Sequence, residues 1–207
     1  MIETGLLVFS HSEPFYCCAH LIDTIIACST QKSLVFWDIG LGRPSKVISF
    51  DNPIDPVSLC VIKSDEKMTL MLQDKTTRVY TYHYDADKNY IETGKEYQLE
   101  PIGFTKLPFY FTQYDDAGKP TRTSNTHFPT IKGTSFVENR NIETGALQRS
   151  WKFEEANFTD LTFMLSFGIK EKNFLLVAQE GLSLKLLELP ADAKETPVKE
   201  LILPSNK

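Results

Sequence analysis

Cysteine is scarce and badly placed for a scaffold: the 207 residues include four, Cys17, Cys18, Cys28 and Cys60. No CxxC pair or evenly spaced framework occurs among them, so neither a disulfide-stapled fold nor a zinc ribbon is written in the sequence, and reduced thiols are expected. Cys17, Cys18 and His20 do not read as a metal site either, because neighbouring strand residues point to opposite faces. Long apolar runs are also missing, and the longest fall far short of the ~18 residues a membrane-spanning helix needs. The apolar stretch 6–9 has no basic segment before it and ends at Ser10, so no secretory signal is expected. Excess positive charge is absent: the net charge is −5, which argues against a general nucleic-acid binder. Catalytic signatures are wanting as well. His11, His20, His83 and His127 stand in no Gly-x-Ser-x-Gly or His-Glu-x-x-His context. Gly40-Leu41-Gly42 is half a dinucleotide fingerprint without the following helix, so it reads as a turn between strands. The expectation is a soluble intracellular protein, cytoplasmic or nuclear, that is not an enzyme and carries no cofactor or metal.

What the sequence does contain is repetition. Ile-Glu-Thr-Gly occurs at residues 2–5, 91–94 and 142–145, each copy leading into a short β-prone segment. With 42% hydrophobic and 12% aromatic residues, the chain has globular material for stacked repeat units. Short apolar stretches between turn residues predict strands at 24–29, 33–37 and 46–50, then at 57–63, 68–73, 77–84 and 95–99. A last meander is predicted at 161–169, 173–180, 182–189 and 198–203. A helix is the competing reading for 183–188, but Gly181 and Pro190 leave it too short. Strands ending at Phe50, Leu99, Phe153 and Leu203 divide a single domain, 1–207, into units at approximately 11–50, 51–99, 100–153 and 154–203. The third unit is irregular. Beyond strands near Phe104 and at 109–114, the polar stretch 115–134 reads as an inserted mobile loop or a degenerate unit edge.

A four-stranded unit of this length whose third strand ends in Trp-Asp resembles the WD40 repeat. The residues that carry the likeness are 33–39, with Trp37-Asp38, and the Ile-Glu-Thr-Gly copies. The resemblance implies an all-β fold of propeller blades, with the glycine of each copy at a positive-φ turn position and the Thr or Glu side chain capping it. The motif is split, since the first unit has Trp-Asp with Gly40 and Gly42, whereas the next two have Glu-Thr-Gly without Trp-Asp. Four units fall short of the usual seven blades, which implies a partial propeller: a fragment, a truncated product, or a half completed by a partner. Over residues 24–81 the pattern is also similar to two successive blades of the WD-repeat, non-catalytic subunits of tRNA (guanine-N7) methyltransferases.

Candidate functional residues come from charge and aromatics. Between Gly118 and Lys152 stand six basic residues, Lys119, Arg122, Lys132, Arg140, Arg149 and Lys152, against Glu138 and Glu143. Such a stretch in an acidic chain fits contact with phosphate or an acidic partner, the plain alternative being a solvated loop. Lys119, Arg122, Lys132, Arg140 and Trp151 are therefore the candidate partner contacts. His83, between Tyr82 and Tyr84, reads either as a stacking platform for a base or as a surface histidine beside two packed rings. Asp38, Asp65, Glu66 and Asp74 read as turn caps. The function that follows is a non-enzymatic scaffold for protein–protein interaction within a larger complex, touching RNA only through a partner. The rivals are a supporting subunit of an RNA-modifying methyltransferase and a small hydrolase whose residues converge only in space.

Overall fold

The computed structural model describes residues 11–63, 68–85, 88, 90–99, 110–114, 117, 120–121, 127–153, 158, 161–169, 172–179, 184–190 and 201–202. Every regular element among them is a β-strand. The chain divides into two compact units, Met1–Pro56 and Val57–Lys207.

The first unit is an antiparallel meander of β1 (Cys17–Ile22), β2 (Ile25–Ser29), β3 (Ser33–Asp38) and β4 (Arg43–Ser49), paired in that order. Leu34, Val35, Phe36 and Trp37 make β3 apolar on both faces, so it is buried along most of its length, as an interior strand requires. Cys28, Val35 and Trp37 form its buried cluster, with Phe15 and Ile26 against them. By contrast β4 is largely exposed and, among the described residues, pairs with β3 alone. Thr30 shapes the β2–β3 turn, where its hydroxyl oxygen accepts from the amides of Lys32 at 3.1 Å and Ser33 at 2.9 Å.

The second unit begins with the meander β5 (Pro56–Lys63), β6 (Met68–Asp74), β7 (Arg78–Asp85) and β8 (Tyr90–Gln98). It continues through β9 (Tyr110–Tyr114), β10 (Pro120–Thr121), β11 (His127–Lys132), β12 (Phe136–Asn141) and β13 (Leu147–Lys152). Its last elements are β14 (Leu161–Ile169), β15 (Lys172–Gln179), β16 (Leu184–Leu189) and β17 (Leu201–Ile202). One sheet runs β17-β16-β15-β14-β9-β5-β6-β7-β8, with β10 on β9, and a second holds β11-β12-β13. Pairing is antiparallel except around β9, which lies parallel to β5 through Val61↔Tyr110 and to β14 through Ser166↔Phe111. Parallel neighbours need long crossovers, and here each crossover carries several strands of its own, so the leading strands of successive meanders align in one direction. Ile131, Val137, Trp151 and Phe153 pack with Met164, Leu175, Val177, Leu187 and Leu189 across the two sheets. Burying each such side chain contributes about 1.5–3 kcal/mol before entropy is counted.

Strands expected from the sequence recur with small shifts. The outermost strands end at Ser49, Gln98, Lys152 and Ile202, each one residue before the expected end. Residues 184–189 are extended, not helical. Two expectations need correction. The stretch 115–134 is not a single inserted loop, because it contains β10 and β11, and Phe128 and Ile131 of β11 are fully buried. Pro129 disguised this strand; the ladder tolerates it because β11 is an edge. The second Ile-Glu-Thr-Gly copy is not a turn. It lies inside β8, with Ile91 opposite Tyr84 and Thr93 opposite Tyr82. The first copy, and Asp65 and Glu66, lie outside the described residues.

Candidate interaction surface

The turn from β3 to β4 is built on one carboxylate. Asp38 ends β3, and its Oδ1 accepts from the Thr24 hydroxyl at 2.8 Å, the Gly40 amide at 2.9 Å and the Leu41 amide at 3.1 Å. The Thr24 hydroxyl first, and then the two amides, hold the Asp38 carboxyl below its ordinary range. A depressed folded value means that this contribution is present above the unfolded pKa and is lost as the pH falls through the folded one. Gly42 completes the turn at φ 64°. The braced tip presents apolar side chains to solvent: Leu41 is 64% exposed and Ile39 37%, with Val47 half exposed farther along the same hairpin. Arg43 and Lys46 add positive charge.

The turn from β12 to β13 is its chemical copy. Asn141 Oδ1 accepts from the amides of Glu143 at 2.9 Å and Thr144 at 3.0 Å, and Gly145 takes φ 68°. Both turns share the pattern Asx-Ile-x-x-Gly, with the cap at the first position and the left-handed glycine at the fifth. The principal cap is therefore the Asx before the isoleucine, and the Thr of the third tetrapeptide adds to it, the Thr144 hydroxyl oxygen accepting from the Ala146 amide at 3.3 Å. That signal was in the sequence. Tyr90 precedes the second copy and cannot cap, so Gly94 falls within a strand under the side chains of Thr81 and His83. Asp74 plays the same role between β6 and β7, accepting from the amides of Thr76 at 2.8 Å and Arg78 at 3.0 Å.

Those sequence-predicted contacts that lie among the described residues do not form one exposed patch. Lys119 and Arg122 lie outside the described residues. Arg140 is buried: its Nε donates to Glu138 Oε2 at 2.9 Å, its Nη2 to the same oxygen, and its Nη1 to the Gly145 carbonyl at 2.8 Å. Lys132 joins them, its Nζ 3.3 Å from Glu138 Oε1. Trp151 is buried in the core, and the Arg149 guanidinium lies 5.8 Å from its ring. Arg140 and Trp151 thus stabilise the β11–β13 sheet, and burial removes them from the contact set. His83 is held between Thr69, 3.2 Å from Nδ1, and Glu143, 3.3 Å from Nε2, with Tyr82 and Tyr84 buried, so no stacking platform is displayed.

The outer strands are poorly suited to accept an added strand. Among the described residues β4 and β8 are outermost in their sheets, and Pro44 and Lys46 interrupt the edge of β4 while Glu92, Lys95 and Glu96 charge that of β8. Side chains on the turns are what the fold offers. The apolar tip at Ile39 and Leu41 was missed by sequence reasoning, which treated Gly40-Leu41-Gly42 only as a connection.

Neither a protein-family model nor a curated protein matches this sequence. Solved structures do resemble it. The structure described as BBS1N in complex with ARL6DN is 13% identical and aligns with a TM-score of 0.58 over 95% of this chain and 57% of that one. The WD40 repeats of RRP9 are 11% identical and align with a TM-score of 0.50 over 93% of this chain and 52% of that one. The chain thus spans little more than half the length of each. At such identities the likeness carries the fold alone: an all-β, WD40-like arrangement of β-propeller blades.

Proposed function

We propose that this chain is a non-catalytic scaffold that binds other proteins, and that the Asp38-capped turn between β3 and β4 is a principal contact. The observation that carries this reading is a turn braced by the Asp38 carboxylate that exposes the apolar Ile39 and Leu41, where a turn that merely connects strands is ordinarily polar. The structural neighbour BBS1N was crystallised with a protein, ARL6DN, which is in keeping with a protein partner. On this reading the chain works inside the cell, cytoplasmic or nuclear, and meets RNA only through its partner.

The test is affinity purification of the full chain from native lysate beside an Ile39→Asp/Leu41→Asp variant. Wild type is expected to retain a defined protein partner that the variant loses by tenfold or more, the scale at which an interface anchor acts. Equal retention by two chains with the same β-sheet circular dichroism would refute the role of the turn. Recovery of an RNA methyltransferase would establish the second reading, a subunit supporting RNA modification, which rests on the sequence likeness over residues 24–81. A chain with hydrolytic activity and no partner would overturn both.

A further inference from the structure

Three of the four cysteines lie on the paired strands β1 and β2 of the first unit. Antiparallel register sets Cys17 opposite Ser29 and Cys18 opposite Cys28 on β1 and β2. Because side chains alternate, these pairs occupy opposite faces of the two strands. The Cys17 Sγ lies 2.8 Å from the Ser29 Oγ and is thus engaged on its own face. Cys18 and Cys28 stand directly opposite each other across the β1–β2 ladder, with Cys18 exposed and Cys28 buried against Val35 and Trp37. Directly opposed residues of an antiparallel pair have Cα atoms about 4.5–5.5 Å apart, within the span a disulfide bridges.

We propose that Cys18 and Cys28 form a peroxide-oxidisable dithiol site in which exposed Cys18 attacks and buried Cys28 resolves. Exposure assigns the first role, since a peroxide reaches Cys18 from solvent while the core covers Cys28. The charge distribution agrees. Interaction with the opposing Cys28 thiol lowers the Cys18 thiol to about 7, and the same pairing, with burial, pushes the Cys28 thiol up. Burial raises Cys17 to about 11 and leaves it protonated at neutral pH.

In the first step the Cys18 thiolate attacks one peroxide oxygen. The S–O bond forms as the O–O bond breaks, sulfur is oxidised to the sulfenic acid, and the departing hydroxide takes a proton as water. In the second step the Cys28 sulfur attacks the Cys18 sulfur: the S–S bond forms, the S–O bond breaks, and hydroxide leaves with the Cys28 proton as a second water. Two thiols and one hydrogen peroxide thus yield one disulfide and two waters. The bond would pin β1, outermost of the described strands in its sheet, to β2.

The experiment exposes the full chain to hydrogen peroxide, blocks remaining thiols under denaturing conditions, and maps peptides by mass spectrometry. A Cys18–Cys28 link with Cys17 and Cys60 still free is expected, its rate rising to half-maximum near pH 7. The Cys17→Ser variant should form the same link, and Cys28→Ser should accumulate a sulfenic acid on Cys18 that a cyclic 1,3-diketone traps. A sulfenic acid persisting on wild-type Cys18, a link through Cys17, or an equal rate in the urea-unfolded chain would overturn the proposal. Wild type and Cys17→Ser decide the matter even if Cys28→Ser fails to fold.

Discussion

Gly145 carries two constraints at once. Its φ of 68° lies where a side chain is disfavoured, and a Cβ there would run into the Tyr97 ring. Gly133 shares only the first, with φ 60° and open space around it. Alanine at position 133 should therefore cost about 1 kcal/mol, the left-handed penalty. At 145 the loss should exceed that by a further ~1–2 kcal/mol as the ring is displaced. Urea unfolding of the two variants, followed by tryptophan fluorescence, checks this, and equal losses would show that Tyr97 gives way freely. At this scale much was legible. Asp38 and Asp74 cap turns as their types and positions foretold, since a short carboxylate reaches amides two to four residues on. The third tetrapeptide puts its glycine at the positive-φ turn position that the resemblance implied and the second does not, because the deciding residue, Asn141 or Tyr90, stands just outside the repeat.

The element that most changes the reading of the sequence is β12. Alternation places Glu138 and Arg140 on one face of it, so the two charges meet inside the sheet and not in solvent. A count of basic residues over 118–152 could not distinguish a buried, paired arginine from an exposed one. The spacing of two from Glu138 was the available clue, unusable until 136–141 was known to be a strand. The Arg140 side chain is 9% exposed and that of Glu138 4%, so removing Arg140 leaves the buried Glu138 carboxylate with Lys132, 3.3 Å from its Oε1, in place of two charged partners. We expect Arg140→Met to destabilise by about 3 kcal/mol and the double change Arg140→Met/Glu138→Leu by less than the sum of the single changes. A double-mutant cycle in urea measures the coupling, and strict additivity would mean that water solvates Glu138 once Arg140 is gone. Arg140 also donates to the Gly145 carbonyl, so the variant should loosen the β12–β13 turn, visible as faster amide exchange at Gly145.

Across the whole molecule, strand positions were readable and strand partners were not. Gly, Pro and Asp punctuate the chain at intervals that mark each meander, and local alternation marks its strands. Nothing local records that β9 lies between β5 and β14, since parallel partners are chosen by long connections that leave no pattern in either strand. The same non-local pairing governs how the chain folds. Trp151 is buried among residues of β11 through β16, so its environment forms only when the β11–β13 sheet docks on the β14–β16 strands. Each of these closures costs loop entropy before apolar burial rewards it, and folds dominated by such contacts form in milliseconds to seconds. The chain has two tryptophans, and Trp37→Phe leaves Trp151 alone as the reporter. Stopped-flow refolding of that variant from urea should show the Trp151 signal rising no faster than the millisecond range, behind any earlier gain of β-sheet ellipticity. A Trp151 signal complete within the mixing time would instead mean that its core forms locally from β11–β13, before the last meander is in place.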